Sequence, residues 1–126
     1  MHPARLLIVD DEAALLDLLR RYLERLGYQV DAANTPEDAL LRFEAEPGRY
    51  DCVLTDLALP GMNGEDLVKR MREVNPALPA LISSGYPYQP HTPGTEFLQK
   101  PYLPKMLAEA LEKILRGHGV APSCGS

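Results

Sequence analysis

The chain has no pair of cysteines spaced for a disulfide, a metal or a redox couple. Its two thiols sit in unlike settings. Cys52 lies within the apolar run Cys52-Val53-Leu54, where a small buried hydrophobe is the plain reading, and Cys124 lies in a Gly/Ser/Pro tail. A reducing cytoplasm is the expected compartment. Long apolar stretches are missing too. The run Leu6–Val9 after Met1-His2-Pro3-Ala4-Arg5 is too short for the core of a signal peptide, and nothing approaches the roughly 20 residues of a membrane span. No basic cluster offsets the formal charge of −5, which argues against direct nucleic-acid binding. There are no repeats or low-complexity tracts. The three histidines, His2, His91 and His118, fall in expected loops or tails and read as solvated. The 126 residues suit one domain of ordinary composition, expected over residues 1–116 with a flexible tail at 117–126. A domain of this size buries roughly two-thirds of its unfolded surface, so it needs no covalent or metal staple.

What remains is an alternation of two periods. Leu6-Leu7-Ile8-Val9 reads as a strand buried on both faces and ends in Asp10-Asp11. From Glu12 the period becomes helical, with Leu15, Leu19, Tyr22 and Leu26 on one stripe and Gly27 as the stop. Tyr28 to Ala32 is a second strand. Thr35-Pro36-Glu37-Asp38 then opens a helix with Thr35 as N-cap and Pro36 in the first turn; it carries Ala39, Leu40 and Phe43. Cys52 to Thr55 is a third strand ending at Asp56, followed by a Pro/Gly-rich loop to Gly64. Leu67, Val68, Met71 and Val74 mark a third helix. Ala80–Ser83 and Thr95–Gln99 are further strands, and Leu107, Leu111, Ile114 and Leu115 share a face of a last helix from Pro104. Such alternation predicts a parallel α/β sheet with helices on both faces.

In sheets of this kind ligands bind beyond the carboxyl ends of the strands. The residues there are Asp10 and Asp11, Asp56, Ser84 and Lys100. Two carboxylates 4 Å apart repel by about 4 kcal/mol at an effective dielectric near 20. Three together either protonate or gather a cation, and an all-oxygen donor set suits Mg²⁺ or Mn²⁺. An anionic nucleophile, a metal, the Lys100 ammonium and the Ser84 hydroxyl make a site for phosphoryl transfer. Taken singly, each signal has a plainer meaning: Asp-Asp as a helix cap, Asp56 as a turn residue, Lys100 as a solvated charge. Their joint occurrence outweighs these.

The blocks Val9-Asp10-Asp11-Glu12, Thr55-Asp56 with Leu59-Pro60-Gly61-Met62-Asn63-Gly64, Ser84-Gly85 and Lys100-Pro101 resemble, in order, the signature blocks of response-regulator receiver domains. The resemblance runs from about Arg5 to Leu115. It implies a flavodoxin-like, doubly wound (βα)5 fold with strand order 2-1-3-4-5, and a signalling phosphoacceptor rather than an enzyme acting on a separate substrate. By the same resemblance Asp56 would take a phosphoryl group from a histidine kinase or phosphotransfer protein. Asp11, Asp56 and the Ala58 carbonyl would ligate Mg²⁺, with Asp10 acting mainly through water. Ser84 would be the switch hydroxyl, preferred over Ser83 because Gly85 follows it; adjacent strand residues point to opposite faces, so only one can serve. Phe97 would be the switch aromatic and Lys100 the phosphate clamp, with a cis Lys100-Pro101 bond. The wording Ser84-Gly85-Tyr86 and Phe97-Leu98-Gln99-Lys100-Pro101-Tyr102 resembles receivers attached to hybrid histidine kinases.

One stretch departs from the family. Only Gly85 to Gly94 separate Ser84 from the last strand, and they include Pro87, Pro90 and Pro93. Three prolines in ten residues forbid an ordinary helix. Ten extended residues reach roughly 33 Å, enough to travel back along a strand of about 17 Å. The family's fourth helix is therefore expected to be missing or reduced to a turn, which remodels a face the family uses for output and dimerisation and leaves the oligomeric state and output partner open. The segment Gly85-Tyr86-Pro87-Tyr88 is expected to respond to phosphorylation. Ala58 and Tyr86 position a water poorly, so slow loss of the phosphoryl group is expected; a half-life of seconds would refute it. A pseudo-receiver would have lost one of the site residues. An aspartyl-phosphate phosphatase needs an acid at position 58, where Ala58 stands, and a flavodoxin-like nucleotide binder needs a Gly/Ser/Thr-rich loop where Asp10-Asp11-Glu12 stand.

Overall fold

The computed structural model describes residues 3–90 and 93–117. Five parallel strands form one sheet in the order β2-β1-β3-β4-β5: β1 Arg5–Val9, β2 Gln29–Ala33, β3 Cys52–Asp56, β4 Ala80–Ser84 and β5 Thr95–Gln99. Among the described residues four helices accompany them: α1 Ala13–Arg25, α2 Pro36–Ala45, α3 Gly64–Val74 and α4 Pro104–Gly117. This is the parallel α/β sheet expected from the pattern, in the flavodoxin-like strand order that the family resemblance implies. Because successive strand side chains alternate, the sheet carries two cores. Leu7, Val9, Val53, Ala80 and Ile82 pack against α2 and α3 through Phe43, Leu67, Val68 and Met71. Leu6, Ile8, Cys52, Leu54 and Leu81 pack on the other side against Leu16, Leu23, Leu107, Leu111 and Leu115 of α1 and α4.

Local signals fix the helix ends. The Thr35 hydroxyl accepts from Asp38 N at 3.0 Å with Pro36 in the first turn, and Asn63 accepts from Asp66 N at 2.8 Å to open α3. Gly27 leaves α1 at a φ of 102°, which only glycine adopts cheaply. Two details correct the sequence reading. The expected stripe of α1 holds in part: Leu19, Tyr22 and Leu26 pack half-buried against the core, but the fully buried positions are Leu16 and Leu23, and Leu15 lines an open apolar hollow. Val74, expected on the buried face of α3, is exposed. The expected tail overlaps α4 at Gly117; residues 118–126, with His118 and Cys124, lie outside the described residues, as do His2 and His91.

Between β4 and β5 the described part of the connection contains no helix. The prolines have their expected effect. An extended segment crosses the face of the sheet beside α3, and Tyr88 packs from it onto the core of that face.

Candidate phosphoacceptor and metal site

The first strand delivers Asp10 almost wholly buried and Asp11 exposed. Asp10 also does the plain job of a turn residue, accepting from Glu12 N at 2.9 Å and so shaping the entry to α1. β3 ends at Asp56, whose neighbour Leu57 donates its N–H to the Ser83 carbonyl at 2.7 Å. Gly64 lets α3 begin unusually close: a Cβ there would lie 2.3 Å from the Asp56 carbonyl oxygen. β5 ends by presenting Lys100, whose N–H is held by the Ser84 carbonyl at 2.7 Å and whose bond to Pro101 is cis.

These elements bring carboxylate oxygens of Asp10, Asp11 and Asp56 to within 4.8 Å of one another. The Lys100 ammonium stands 3.3 Å from Asp10 Oδ2 and 3.5 Å from Asp56 Oδ1. Burial opposes charge on the Lys100 amine, yet Asp10 and Asp56 outweigh it and hold the group above its ordinary range. Asp56 is displaced the other way for an acid. Burial and the charges of Asp10 and Asp11 raise it, and Lys100 only partly offsets them. One ammonium facing three carboxylates leaves an excess of negative charge, and the donors are all hard oxygens; the residues present fit a small divalent cation.

The other expected residues occupy less central places. The Ser84 side chain is buried at the end of β4, where its Oγ accepts from Tyr86 N at 3.0 Å. Ser83 sits on the opposite face and lines a void of about 10 Å³ together with Asp10, Asp56 and Tyr102. Phe97 is half-buried on the face of Ile82, its register partner, with the Tyr88 ring edge-on at 5.8 Å. Ala58 is exposed in the loop two residues after Asp56. Sequence reasoning missed Glu65, whose carboxylate accepts the Tyr88 hydroxyl; its only sequence signal was an acid in the first turn of a helix.

A family model for the response regulator receiver domain matches residues 6–112. The chain belongs to the response-regulator receiver family. Receivers are the phosphoacceptor domains of two-component signalling, and they bind Mg²⁺ through acidic residues. The transcriptional regulatory protein ResD of Bacillus subtilis is 33% identical over 119 residues, covering 89% of this chain and 48% of that protein. The chain thus spans about half the length of such regulators. The receiver domain of the hybrid histidine kinase CckA superposes with a TM-score of 0.81 at 35% identity, over 89% of this chain and 99% of the other. The response regulator TrrA of Thermotoga maritima, solved in complex with Mg²⁺ and BeF, gives a TM-score of 0.78 at 28% identity, over 89% and 99% of the two chains. Among the described residues no helix is long and apolar enough to cross a membrane.

Proposed function

We propose that Asp56 is the phosphoacceptor of this receiver and that Lys100 and Ser84 bind the transferred group. One observation carries the reading: three carboxylates from two strand ends cluster together, and two of them, Asp10 and Asp56, pair with one ammonium from a third. An ionised Asp56 oxygen attacks the phosphorus of a phosphohistidine on a histidine kinase or phosphotransfer protein. The phosphorus–nitrogen bond breaks and its electron pair returns to the imidazole, leaving an acyl phosphate on Asp56. Asp11, Asp56 and the Ala58 carbonyl would hold a magnesium or manganese ion, with Asp10 acting through water. Bound there, the ion would neutralise charge on the phosphoryl oxygens.

The chain's own groups do the rest. Lys100, already fixed by Asp10, places its positive charge where a phosphoryl oxygen arrives. The Ser84 hydroxyl, which in this structure accepts from Tyr86 N, keeps its own proton free to donate to another. Phe97 would follow the movement of Ser84. We take residues 1–116 as the receiver and 117–126 as its tail, working in the cytoplasm, assisting its own phosphorylation and dephosphorylation, and passing the signal to a protein partner.

Intact mass after incubation with acetyl phosphate and Mg²⁺ tests this. The expected result is one added phosphoryl group on the wild type, none on Asp56→Asn, and none when the metal is chelated. A folded wild type that gains no mass under any condition overturns the reading.

A further inference from the structure

We propose that the segment from Gly85 to Pro90 is a strap, latched shut by Tyr88 and Glu65 in the unphosphorylated protein, and that the latch opposes switching. The proposal rests on Asp56 being the phosphoacceptor.

The strap lies in the shortened β4–β5 connection, whose described residues contain no helix. Tyr88 is held there from two directions. Its hydroxyl donates to the Glu65 carboxylate in the first turn of α3, and its ring stands edge-on to Phe97 of β5 with centroids 5.8 Å apart and planes at 66°. The ring also packs, partly buried, against the core that contains Ile82, Leu67 and Val68. Pro87 and Pro90 flank it at one and two residues' distance and fix φ in a segment that has no regular hydrogen-bond ladder.

The strap's other end is tied to the site. Tyr86 N donates to Ser84 Oγ at 3.0 Å, and one proline separates Tyr86 from Tyr88. When Ser84 Oγ moves toward a phosphoryl oxygen on Asp56, the Tyr86 amide must follow or lose its acceptor. A stiff segment pinned at Tyr88 resists following. The Tyr88 ring also stands against the half-buried Phe97, so a turn of the Phe97 ring must break this contact. Both contacts therefore belong to the unphosphorylated arrangement. A contact made in one state only shifts the equilibrium toward that state by its own differential strength, and the phosphoryl group must overcome it.

Affinity for beryllofluoride in the presence of Mg²⁺ measures the opposition. Tyr88→Phe keeps the ring and removes the hydroxyl; Glu65→Ala removes the acceptor from the α3 side without touching the strap. Each is expected to bind beryllofluoride three- to tenfold more tightly than wild type, and the double variant no more tightly than the better single one. Hydrogen exchange without ligand is expected to speed up at 84–90 and 95–99 in both. Thermal melts verify that each is folded, and the two variants approach the contact from separate elements, so one unstable protein does not stop the test. Wild-type or weaker affinity in the folded variants overturns the latch while leaving the phosphoacceptor intact. A wild type that does not bind beryllofluoride overturns the phosphoacceptor reading, and the latch with it.

Discussion

At the scale of single residues the site is built from conflict. Asp56 is held partly buried beside Asp10 and Asp11, and its acidity is weakened by burial first and by those charges second, with Lys100 working against both. The sign of the consequence follows from linkage. An acid whose folded pKa lies above its unfolded value near 3.8 destabilises the fold once ionised, so stability is lost as pH rises from that value through the raised one. Without metal at neutral pH, Asp56→Asn should therefore be more stable than wild type, read as a higher melting temperature. Saturating Mg²⁺ should narrow that difference by stabilising wild type more than the variant. A calorimetric series in chelator and in Mg²⁺ checks this, and a less stable Asn variant in chelator would contradict it.

At the scale of elements, the loop and helix that follow β3 are set by one close approach. Gly64 N donates to the Leu57 carbonyl at 2.8 Å, and the missing side chain leaves room for the Asp56 carbonyl and the Thr55 methyl. Gly64→Ala should push the start of α3 away from β3, costing about 2 kcal/mol by the overpacking rule and slowing phosphorylation by acetyl phosphate several-fold. A denaturant melt and a mass-resolved time course measure the two effects; wild-type values in both would show that the helix gives way freely. Much of this was legible in the sequence. Thr35-Pro36 and the strand-end acids carry their meaning locally, through caps, turns and the onset of a helical period, whereas the Asn63 cap that starts α3 at Gly64 was read only as loop. The prolines at 87, 90 and 93 correctly ruled out a helix in the described part of that connection. What the sequence could not give was the partner of Tyr88. Glu65 lies 23 positions away, and no local rule connects a loop tyrosine to an acid that looks like ordinary helix-start decoration. The stripe of α1 was found only in part, with Leu19, Tyr22 and Leu26 at the core's margin and the fully buried Leu16 and Leu23 unnamed, because leucines at 15, 16, 18 and 19 fit more than one helical face and only tertiary packing chooses between them.

At the scale of the whole molecule, the short parallel strands bring Asp10, Asp56, Ser84 and Lys100 to one end of the sheet. Charge convergence there is possible because the centre of the sheet is dry: Val53, Leu54, Leu81 and Ile82 are all buried. Burying four such side chains contributes on the order of 8 kcal/mol, which together with the Lys100 ammonium offsets the repulsion concentrated at the strand ends. The fold can carry an unfavourable cluster because its strands are anchored elsewhere. Arg72 adds to this from α3, donating to the Leu78 carbonyl at 3.0 Å and to the Thr95 hydroxyl at 2.7 Å, which ties the starts of β4 and β5 to the helix.

The sheet with a core on each face is also a partition wall. Neighbours in sequence such as Leu81 and Ile82 belong to different rooms, and volume removed from one is not refilled from the other. Phe43→Leu on the α2 side and Leu111→Ala on the α4 side should therefore lower stability independently, their sum matching the double variant within about 0.5 kcal/mol. Denaturant titration of the four proteins decides it, and a larger discrepancy would mean that the wall bends. If it stands rigid, each side is free to change its furnishings: a lineage can repack the helices on one face to suit a new partner while the other face keeps its old acquaintance.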